Sequence, residues 1–583
     1  MLNYLLARTG MLNVEEALTG KFPNFATQPR IIRNPAISIL KRLLYESRIN
    51  NFLLRNADAY GEDFIERAFD YIDFSYTVSE RDRRNIPSIG RVIVIANHPL
   101  GSLDGLALLK LIREVRPDVK ILANDMLSLF TALESLMIPV DNMTGGSARK
   151  SYRKVIQALD NEEAVIIFPA GEVSRAGATG IKDGRWLPGF LHFARKMSAP
   201  LLPVHINAKN SILFYGASML FKPFGTALLA HEIFKQQSQT IRFSIGEMIP
   251  AKALTSKSLH DRTVVKRLKK HLYIVGKRQR PIFETETTIA HPENRRLLQD
   301  EMISSQLIGE TRDGKRIYLM DYRPDSPVIR EIGRLREIAF RKAGEGTGMK
   351  RDLDKYDQYY RHLVMWDRES LEIAGAYRIG EGRQILDKYG EAGFYTYSLY
   401  RYHSEFIRHL ANGVELGRSF INPRYWSRNS LDYLWQGLGR YLAINPEIRY
   451  LFGPVSMSAN YPKVLMDMLA YFYCRYYARA EVLVSPYHPY VLAGETTSGL
   501  DNQFNGLNRE QAFDYLQQQF KERGHKIPIL FKQYAALFEE GGFNALVFSV
   551  DPDFGDCMDG LCMADLTRLK ENKRKRYIKD KIV

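Results

Sequence analysis

RVIVIANHPLGSLDG, residues 91–105, decides the fold of the first half of the chain. Arg91 to Ala96 is a short β-branched run bounded by polar loops, which predicts a buried strand. Asp104 to Val115 predicts a helix just after the Pro/Gly/Ser turn. Working outward, Ala164–Phe168, Pro200–Ile206 and Ile241–Ile245 predict three more strands. Helical periodicity over 36–78 precedes them and a strongly basic helix over 252–280 follows. Strands alternating with helices predict an α/β layered domain. A linker is expected over Gln279–Pro292. Beyond it, IYLMDY from Ile317 predicts a strand and Pro327–Arg341 an amphipathic helix. His362–Trp366 and Ile373–Arg378 predict a strand pair, Gly413–Ile421 a strand, Leu431–Ile444 a helix and Arg449–Val455 a strand. That order predicts an α+β unit, with no internal repeat.

The 583 residues, 45% of them hydrophobic, exclude a disordered chain and suit two or three domains. Three cysteines (Cys474, Cys557, Cys562) are too few for a disulfide framework, so a reducing compartment is expected. No second Cys/His pair accompanies Cys557 and Cys562, so no metal site is expected. Residues 1–300 hold 42 Lys+Arg against 29 Asp+Glu, whereas residues 301–583 hold 40 against 37. The last 16 residues, Arg568 to Val583, hold 8 basic and 2 acidic. The basic excess therefore sits on the first half and the tail, and attracts polyanions: anionic lipid, an acidic carrier protein or nucleic acid. The opening MLNYLLARTGMLNVEEALTG lacks the pattern of an export signal, and no stretch has about 18 uninterrupted apolar residues. Ser211–Phe234 is the most apolar candidate, but Lys222, Pro223, His231 and Glu232 keep it from crossing a bilayer. It is expected to lie in the interface or to form a core loop and helix.

His98 and Asp104 fall where a buried strand gives way to a helix, the place where ligands collect in open α/β sheets. Acyl transfer to a hydroxyl needs a base, and imidazole titrates in the right range. A nearby carboxylate fixes its tautomer. A second block, Phe168-Pro169-Ala170-Gly171-Glu172-Val173-Ser174-Arg175, again follows a strand and joins a tight turn to a carboxylate and a cation. Arg175 is suited to clamping a phosphate or carboxylate, and backbone N–H groups near Gly171 to facing an oxyanion. Arg149, Lys150 and Arg153 either face solvent or hold a carrier's phosphate.

The order strand–HxxxxxD–helix, strand–FPxG…R and Leu-Pro-Val strand, over about residues 80–250, resembles the glycerolipid acyltransferases. The resemblance implies that His98 and Asp104 are catalytic and that Phe168, Pro169, Gly171, Glu172 and Arg175 bind the acceptor head group. Five residues rather than the family's four separate His98 from Asp104, and Ala170 stands where the family has glutamate. NHPLGSLDG and FPAGEVSR…KDGRWLPGF look instead like the branch carrying the haemolysin label, which includes O-acylating enzymes of ornithine lipid synthesis. A head group other than glycerol phosphate is implied.

In the second half, an Arg-bearing helix with Arg336 precedes Asp352-Leu353-Asp354-Lys355-Tyr356-Asp357. Gly375-Ala376-Tyr377-Arg378 and Glu415-Leu416-Gly417-Arg418 follow. The order, over about 315–480, resembles acyl-homoserine-lactone synthases and ornithine N-acyltransferases, both of the acetyltransferase-like (GNAT) fold. It implies acyl transfer from acyl carrier protein to an α-amine, with Glu415 as base, Asp354 binding the ammonium, Arg378 in the acceptor site, and Arg336 or Arg418 pairing with the carboxylate. Gln436–Tyr441, QGLGRY, partly matches the GNAT phosphate loop.

The resemblances together imply a glycerolipid-acyltransferase-like α/β domain followed by a GNAT-like α+β domain. The expected layout is a helical segment 1–80, an O-acyltransferase domain 81–290, an N-acyltransferase domain 300–567 and a basic tail 568–583. The whole resembles the bifunctional ornithine lipid synthases: the second domain N-acylates ornithine to a lyso-ornithine lipid, and the first esterifies its 3-hydroxyl. Acyl carrier protein and an anionic membrane surface are the implied partners, at the cytoplasmic face of the bacterial inner membrane. No cofactor, metal or nucleic acid is required. The rival expectations are a glycine lipid synthase, a lysophospholipid acyltransferase with a degenerate second domain, a membrane-active haemolysin and a nucleic-acid binder.

Overall fold

The computed structural model describes residues 11, 13–16, 29–124, 131–140, 145–177, 180–211, 214–215, 232–255, 260–426 and 430–578. The chain divides into two units, Met1–His291 and Pro292–Val583. Most of the apolar stretch Ser211–Phe234 lies outside the described residues.

In the first unit, helices α1 (Arg30–Leu43), α2 (Glu46–Arg55) and α3 (Gly61–Tyr71) precede the sheet. Its strands are β1 (Ser75–Thr77), β2 (Val92–Ala96), β3 (Val119–Asn124), β4 (Met137–Val140), β5 (Ala164–Ile167), β8 (Leu201–Asn207) and β9 (Thr240–Ile245), with a small hairpin of β6 (Arg175–Gly177) and β7 (Gly180–Lys182) outside it. The spatial order is β1-β9-β8-β2-β5-β3-β4, and every pairing is parallel except β8 with β9. All five residues of β2 are buried, because a parallel strand is covered on both faces. Helix α4 (Ser102–Arg113) begins two residues earlier than the periodicity predicts. Gly101 before it has φ 92° and ψ −121°, open to glycine alone, so the chain turns sharply between β2 and α4. Helices α5 (Gly145–Asp160), α6 (Gly189–Lys196) and α7 (Asp261–Gly276) complete the layers. Val264, Val265, Leu268 and Leu272 of α7 are buried, so the basic run read over 252–280 is the outer face of an amphipathic helix. Arg149, Lys150 and Arg153 are exposed on α5. Strand β1 lies inside the segment read as purely helical. Its three residues carry no alternating pattern and are held only by pairing with β9.

The second unit is built on eight strands: β10 (Gln306–Glu310), β11 (Arg316–Met320), β12 (Arg361–Asp367), β13 (Glu372–Glu381), β15 (Gly413–Ile421), β16 (Tyr450–Met457), β18 (Phe543–Asp551) and β19 (Cys557–Asp565). A separate pair joins β14 (Tyr400–Tyr402) to β17 (Val484–Pro486). The order is β10-β11-β12-β13-β15-β16-β19-β18. Only β15 and β16 are parallel, and they pair over Gly413–Glu415 and Tyr450–Phe452 before parting. Helix α8 (Pro327–Ala343) is capped by Ser326, whose side chain accepts the Ile329 N–H, and ends at Gly344 with φ 82°. Helix α9 spans Ser430–Ile444, and α10 (Glu571–Tyr577) lies in the basic tail. The phosphate-loop reading of QGLGRY is corrected here. Gln436–Tyr441 sit inside α9, where backbone N–H groups are spent on the helix. Gly439 is needed because any Cβ would stand 2.1 Å from the Tyr577 carbonyl oxygen of α10.

Candidate active sites

Strands β2 and β5 run parallel in register, Ile95 beside Ile167, so the loops after them leave the sheet at one edge. This brings His98 to Phe168, with ring centroids 4.0 Å apart and planes 25° from parallel. Asn97 fastens the end of β2 to β8: its Nδ2 donates to the Ile206 carbonyl at 2.9 Å and its Oδ1 accepts the Ile206 N–H at 2.7 Å. Asn210 Nδ2 donates to the Pro99 carbonyl at 2.9 Å. The turn carrying the imidazole is therefore tied on two sides.

His98 Nδ1 stands 2.8 Å from Asp104 Oδ1. Asp104 is wholly buried, and its Oδ2 accepts the Leu100 N–H at 2.7 Å. A carboxylate in the first turn of α4 also meets the positive end of the helix dipole. With Nδ1 held by Asp104, Nε2 is the nitrogen left to take a proton. Burial opposes a charge on His98, but Asp104 and then Asp183 outweigh it and raise the imidazole above its ordinary value. His98 lines a cleft of about 260 Å³, together with Phe168, Pro169, Gly171 and Glu172 and with apolar walls from Leu122, Phe190 and Phe193. Arg175 does not line it. Its Nε lies 3.4 Å from Glu172 Oε2, so the two charges read as head-group binders hold each other.

Sequence reasoning missed Asp183, Trp186, Asn97 and Asn210. Asp183 and Trp186 lie in KDGRW, a conspicuous string that gives no sign of folding back onto the histidine loop.

Asp104→Asn is expected to lower acyl transfer by the first unit about 10²–10⁴-fold, because Nδ1 loses its orienting acceptor. The acid limb of the remaining activity should move to lower pH, since burial then acts on His98 with less opposition. The sign is set by the raised imidazole: ion pairing with Asp104 stabilises the fold below the unfolded value near 6.5 and is lost as pH rises through the folded value. A pH–rate profile checks both parts.

In the second unit, the predicted residues converge on one buried network. Arg336 Nη1 lies 2.7 Å from Asp357 Oδ1, with the two side chains 0% and 1% exposed. Arg378 Nη1 lies 2.7 Å from Asp354 Oδ1 and 3.4 Å from Asp357 Oδ2. Burial works against the Asp357 charge, but Arg336 and Arg378 hold its carboxyl well below the usual range. Asp354 also accepts the Tyr356 N–H at 2.9 Å as a helix cap. Glu415 accepts from the Tyr360 hydroxyl, from the Tyr395 N–H at 3.1 Å and from the Thr396 N–H at 2.7 Å. Burial raises its carboxyl, and these donors hold the increase down.

Arg418 joins the edge of the same network, its Nη2 3.9 Å from Asp354 Oδ2. It lies where β15 and β16 part, at φ 50°, a conformation that is costly for a long side chain. Its Nε is 3.3 Å from Asp352 Oδ2, and its guanidinium carbon sits 4.9 Å from the Tyr395 ring centre and 4.6 Å from that of Phe554. A cavity of about 60 Å³ opens between the parting strands, lined by Gly417, Arg418, Gly453, Pro454, Trp435 and Cys562 among others. Of the residues predicted for this half, Arg418 lines that cavity, whereas Arg336, Asp354, Arg378 and Glu415 do not. Among the described residues no group of three or more His, Cys, Asp or Glu is placed to hold a metal ion, and no helix is long and apolar enough to cross a membrane.

Residues 17–278 match a family described as acyltransferase, and residues 335–436 a family described as acetyltransferase (GNAT) domain. The chain is 33% identical over 307 residues to the glycine N(alpha)-acyltransferase of Bacteroides thetaiotaomicron, covering 50% of this chain and 89% of that protein. It is 32% identical over 248 residues to the lyso-glycine lipid O-acyltransferase of the same organism, covering 41% of this chain and 89% of that protein. The L-ornithine N(alpha)-acyltransferase of Rhizobium meliloti is 29% identical over 155 residues, covering 26% of this chain and 51% of that protein.

Proposed function

Because the chain belongs to the lipid acyltransferases, joining an acyltransferase domain to a GNAT domain, we propose that it makes a diacylated amino-acid lipid in two steps. In the first, the GNAT unit transfers a 3-hydroxyacyl group to the α-amine of an amino acid: the ammonium loses a proton, the amine attacks the thioester carbonyl and the carrier thiol leaves. In the second, the His98 unit acylates the 3-hydroxyl of that product. His98 Nε2 takes the hydroxyl proton as the oxygen attacks the carbonyl of a second acyl thioester, Asp104 stabilises the imidazolium, and the proton passes to the carrier thiol as the C–S bond breaks. The observation that carries this reading is the His98–Asp104 pair, 2.8 Å apart at a strand end and open to an apolar cleft. Arg418, which lines the cavity and pairs with Asp352 and Asp354, is the cation we assign to the amino acid's carboxylate.

We read the acyl donor as acyl carrier protein, which the basic first half suits. We place the chain's action on the inner face of the bacterial inner membrane, since the lyso product would be amphiphilic and the basic first half suits an anionic surface. Sharing one chain raises the local concentration of that intermediate at the second site. The relatives named for glycine are matched nearly end to end, which favours glycine as acceptor. Ornithine is the second reading, favoured by the likeness to L-ornithine N(alpha)-acyltransferases.

Lipid mass spectrometry of a host expressing the chain, fed labelled glycine or ornithine, tests the reading. A labelled N-acyl, O-acyl product from one of them is the expected result. Label in neither, with acylation of lysophosphatidic acid instead, would replace it.

A further inference from the structure

We propose that Asp183 is a positioning residue for the base of ester formation, its carboxylate closing a hydrogen-bonded ring that locks the His98 loop to the Phe168–Ser174 loop. The proposal rests on the reading of the first unit as the ester-forming one.

Three bonds close the ring. The His98 N–H donates to Asp183 Oδ1 at 3.2 Å, the Ser174 hydroxyl donates to the same oxygen at 2.5 Å, and the Ser174 N–H donates to the His98 carbonyl at 2.7 Å. The second oxygen, Oδ2, accepts Trp186 Nε1–H at 2.8 Å. Asp183, Ser174 and Trp186 are 5%, 1% and 4% exposed. A buried carboxylate is costly unless its oxygens are hydrogen-bonded, and here two of the three donors come from the loops that frame the imidazole and the third, Trp186, from the same segment as Asp183. The backbone of Asp183 is held from the other side by α7. Its N–H donates to the Tyr273 hydroxyl at 2.9 Å, and Lys269 Nζ donates to the carbonyls of Asp183 and Gly184 at 2.6 and 2.7 Å. Lys269 thus spends its donors on the main chain, and no cation lies within 4 Å of the Asp183 carboxylate among the described residues.

Asp104 orients the ring of His98, while Asp183 holds its backbone N–H directly and its carbonyl side through Ser174, whose hydroxyl Asp183 binds and whose N–H the His98 carbonyl accepts. Each also adds negative charge beside the imidazole. The groups facing His98 are Asp104 from α4, Asp183 from the segment after β7 and the Phe168 ring after β5. Those facing Asp183 are Lys269 and Tyr273 of α7, His205 of β8, and Ser174 and Trp186. Glu172 and Arg175 pair with each other. Removing the Asp183 charge therefore leaves Asp104 alone against burial.

Asp183→Asn preserves size but turns N–H donors toward donors, so at least one of the three contacts to the side chain is lost. The full chain is assayed with N-(3-hydroxyhexadecanoyl)glycine and palmitoyl-loaded acyl carrier protein. The expected result is a kcat lowered by about 10–100-fold with KM little changed, since small misplacements of a reacting group cost that much. The acid limb should move to lower pH. Ser174→Ala, a milder cut in the same ring, should lower kcat less and leave the acid limb in place. Titration of the His98 ring by nitrogen-15 NMR should find it protonating at lower pH in Asp183→Asn than in the parent. Unchanged kcat overturns the proposal. So does a lowered kcat with an unmoved acid limb and an unmoved His98 titration, which would make Asp183 a purely structural support. If the parent chain forms no ester at all, the reading of the first unit fails. The His98 titration then still decides the proposal, an unmoved one overturning it.

Discussion

Replacing His98 by alanine is expected to end ester formation while the N-acylated lyso-lipid accumulates. The imidazole is the group in the first cleft placed to accept a proton, because its Nδ1 is engaged by Asp104 and Nε2 remains. A positioned base of this kind contributes about 10²–10⁴-fold in rate, or roughly 3–5 kcal/mol of barrier. On the proposed division of labour the substitution reaches only one product, because the two acylations fall to units with separate sheets and cores. Mass spectrometry of lipids from cells carrying His98→Ala separates the outcomes. Ester at the parent level would mean that another group serves as base. Loss of the amide as well would mean that the two units do not divide the chemistry as proposed.

The second large effect is expected from Asp357→Ala. The change strips the partner from Arg336, whose side chain is 0% exposed, and removes one of two carboxylates facing Arg378. It also breaks the reciprocal cap in which Asp357 accepts the Asp354 N–H at 2.8 Å. Removing one member of a buried pair typically costs about 3–5 kcal/mol, most of it the burden of the charge left behind. Protection of β12 and β13 should fall accordingly in hydrogen-exchange mass spectrometry, and amide synthesis should be lost, while peptides from β2 and β5 keep their protection. Undiminished protection of β12 would contradict the network's structural importance. The depressed Asp357 carboxyl sets the pH sign. Its contribution is fully present above the unfolded value near 4 and is lost as pH falls through the much lower folded value. The second unit should therefore keep this contribution at neutrality and lose it only in strong acid.

Local pattern carried much of the architecture. RVIVIA reads as a strand buried on both faces because every residue in it after Arg91 is apolar, and β2, Val92–Ala96, is buried throughout. Pro327–Arg341 carries its own start signal and a helical apolar stripe, and α8 follows it to Ala343. The short strands β1, β3 and β4 and the β18–β19 hairpin were not read. Their apolar runs are brief or helix-compatible, and pairing with distant partners decides them.

By itself the sequence determined that His98 and Asp104 stand at a strand end, since the turn between them is local and Gly101 permits it. It also determined that the second half carries alternating arginines and carboxylates. Tertiary structure alone decided which of these face a cavity. Parallel pairing of β2 with β5 sets Phe168 against the imidazole, and the parting of β15 from β16 leaves Arg418, itself paired with Asp352, lining an opening that Arg336 and Arg378 do not reach. Asp183 shows the same division most plainly. It is one carboxylate among 66 acidic residues in the sequence, and its place beside the His98 backbone exists only because a chain segment 85 residues away folds back to accept that N–H.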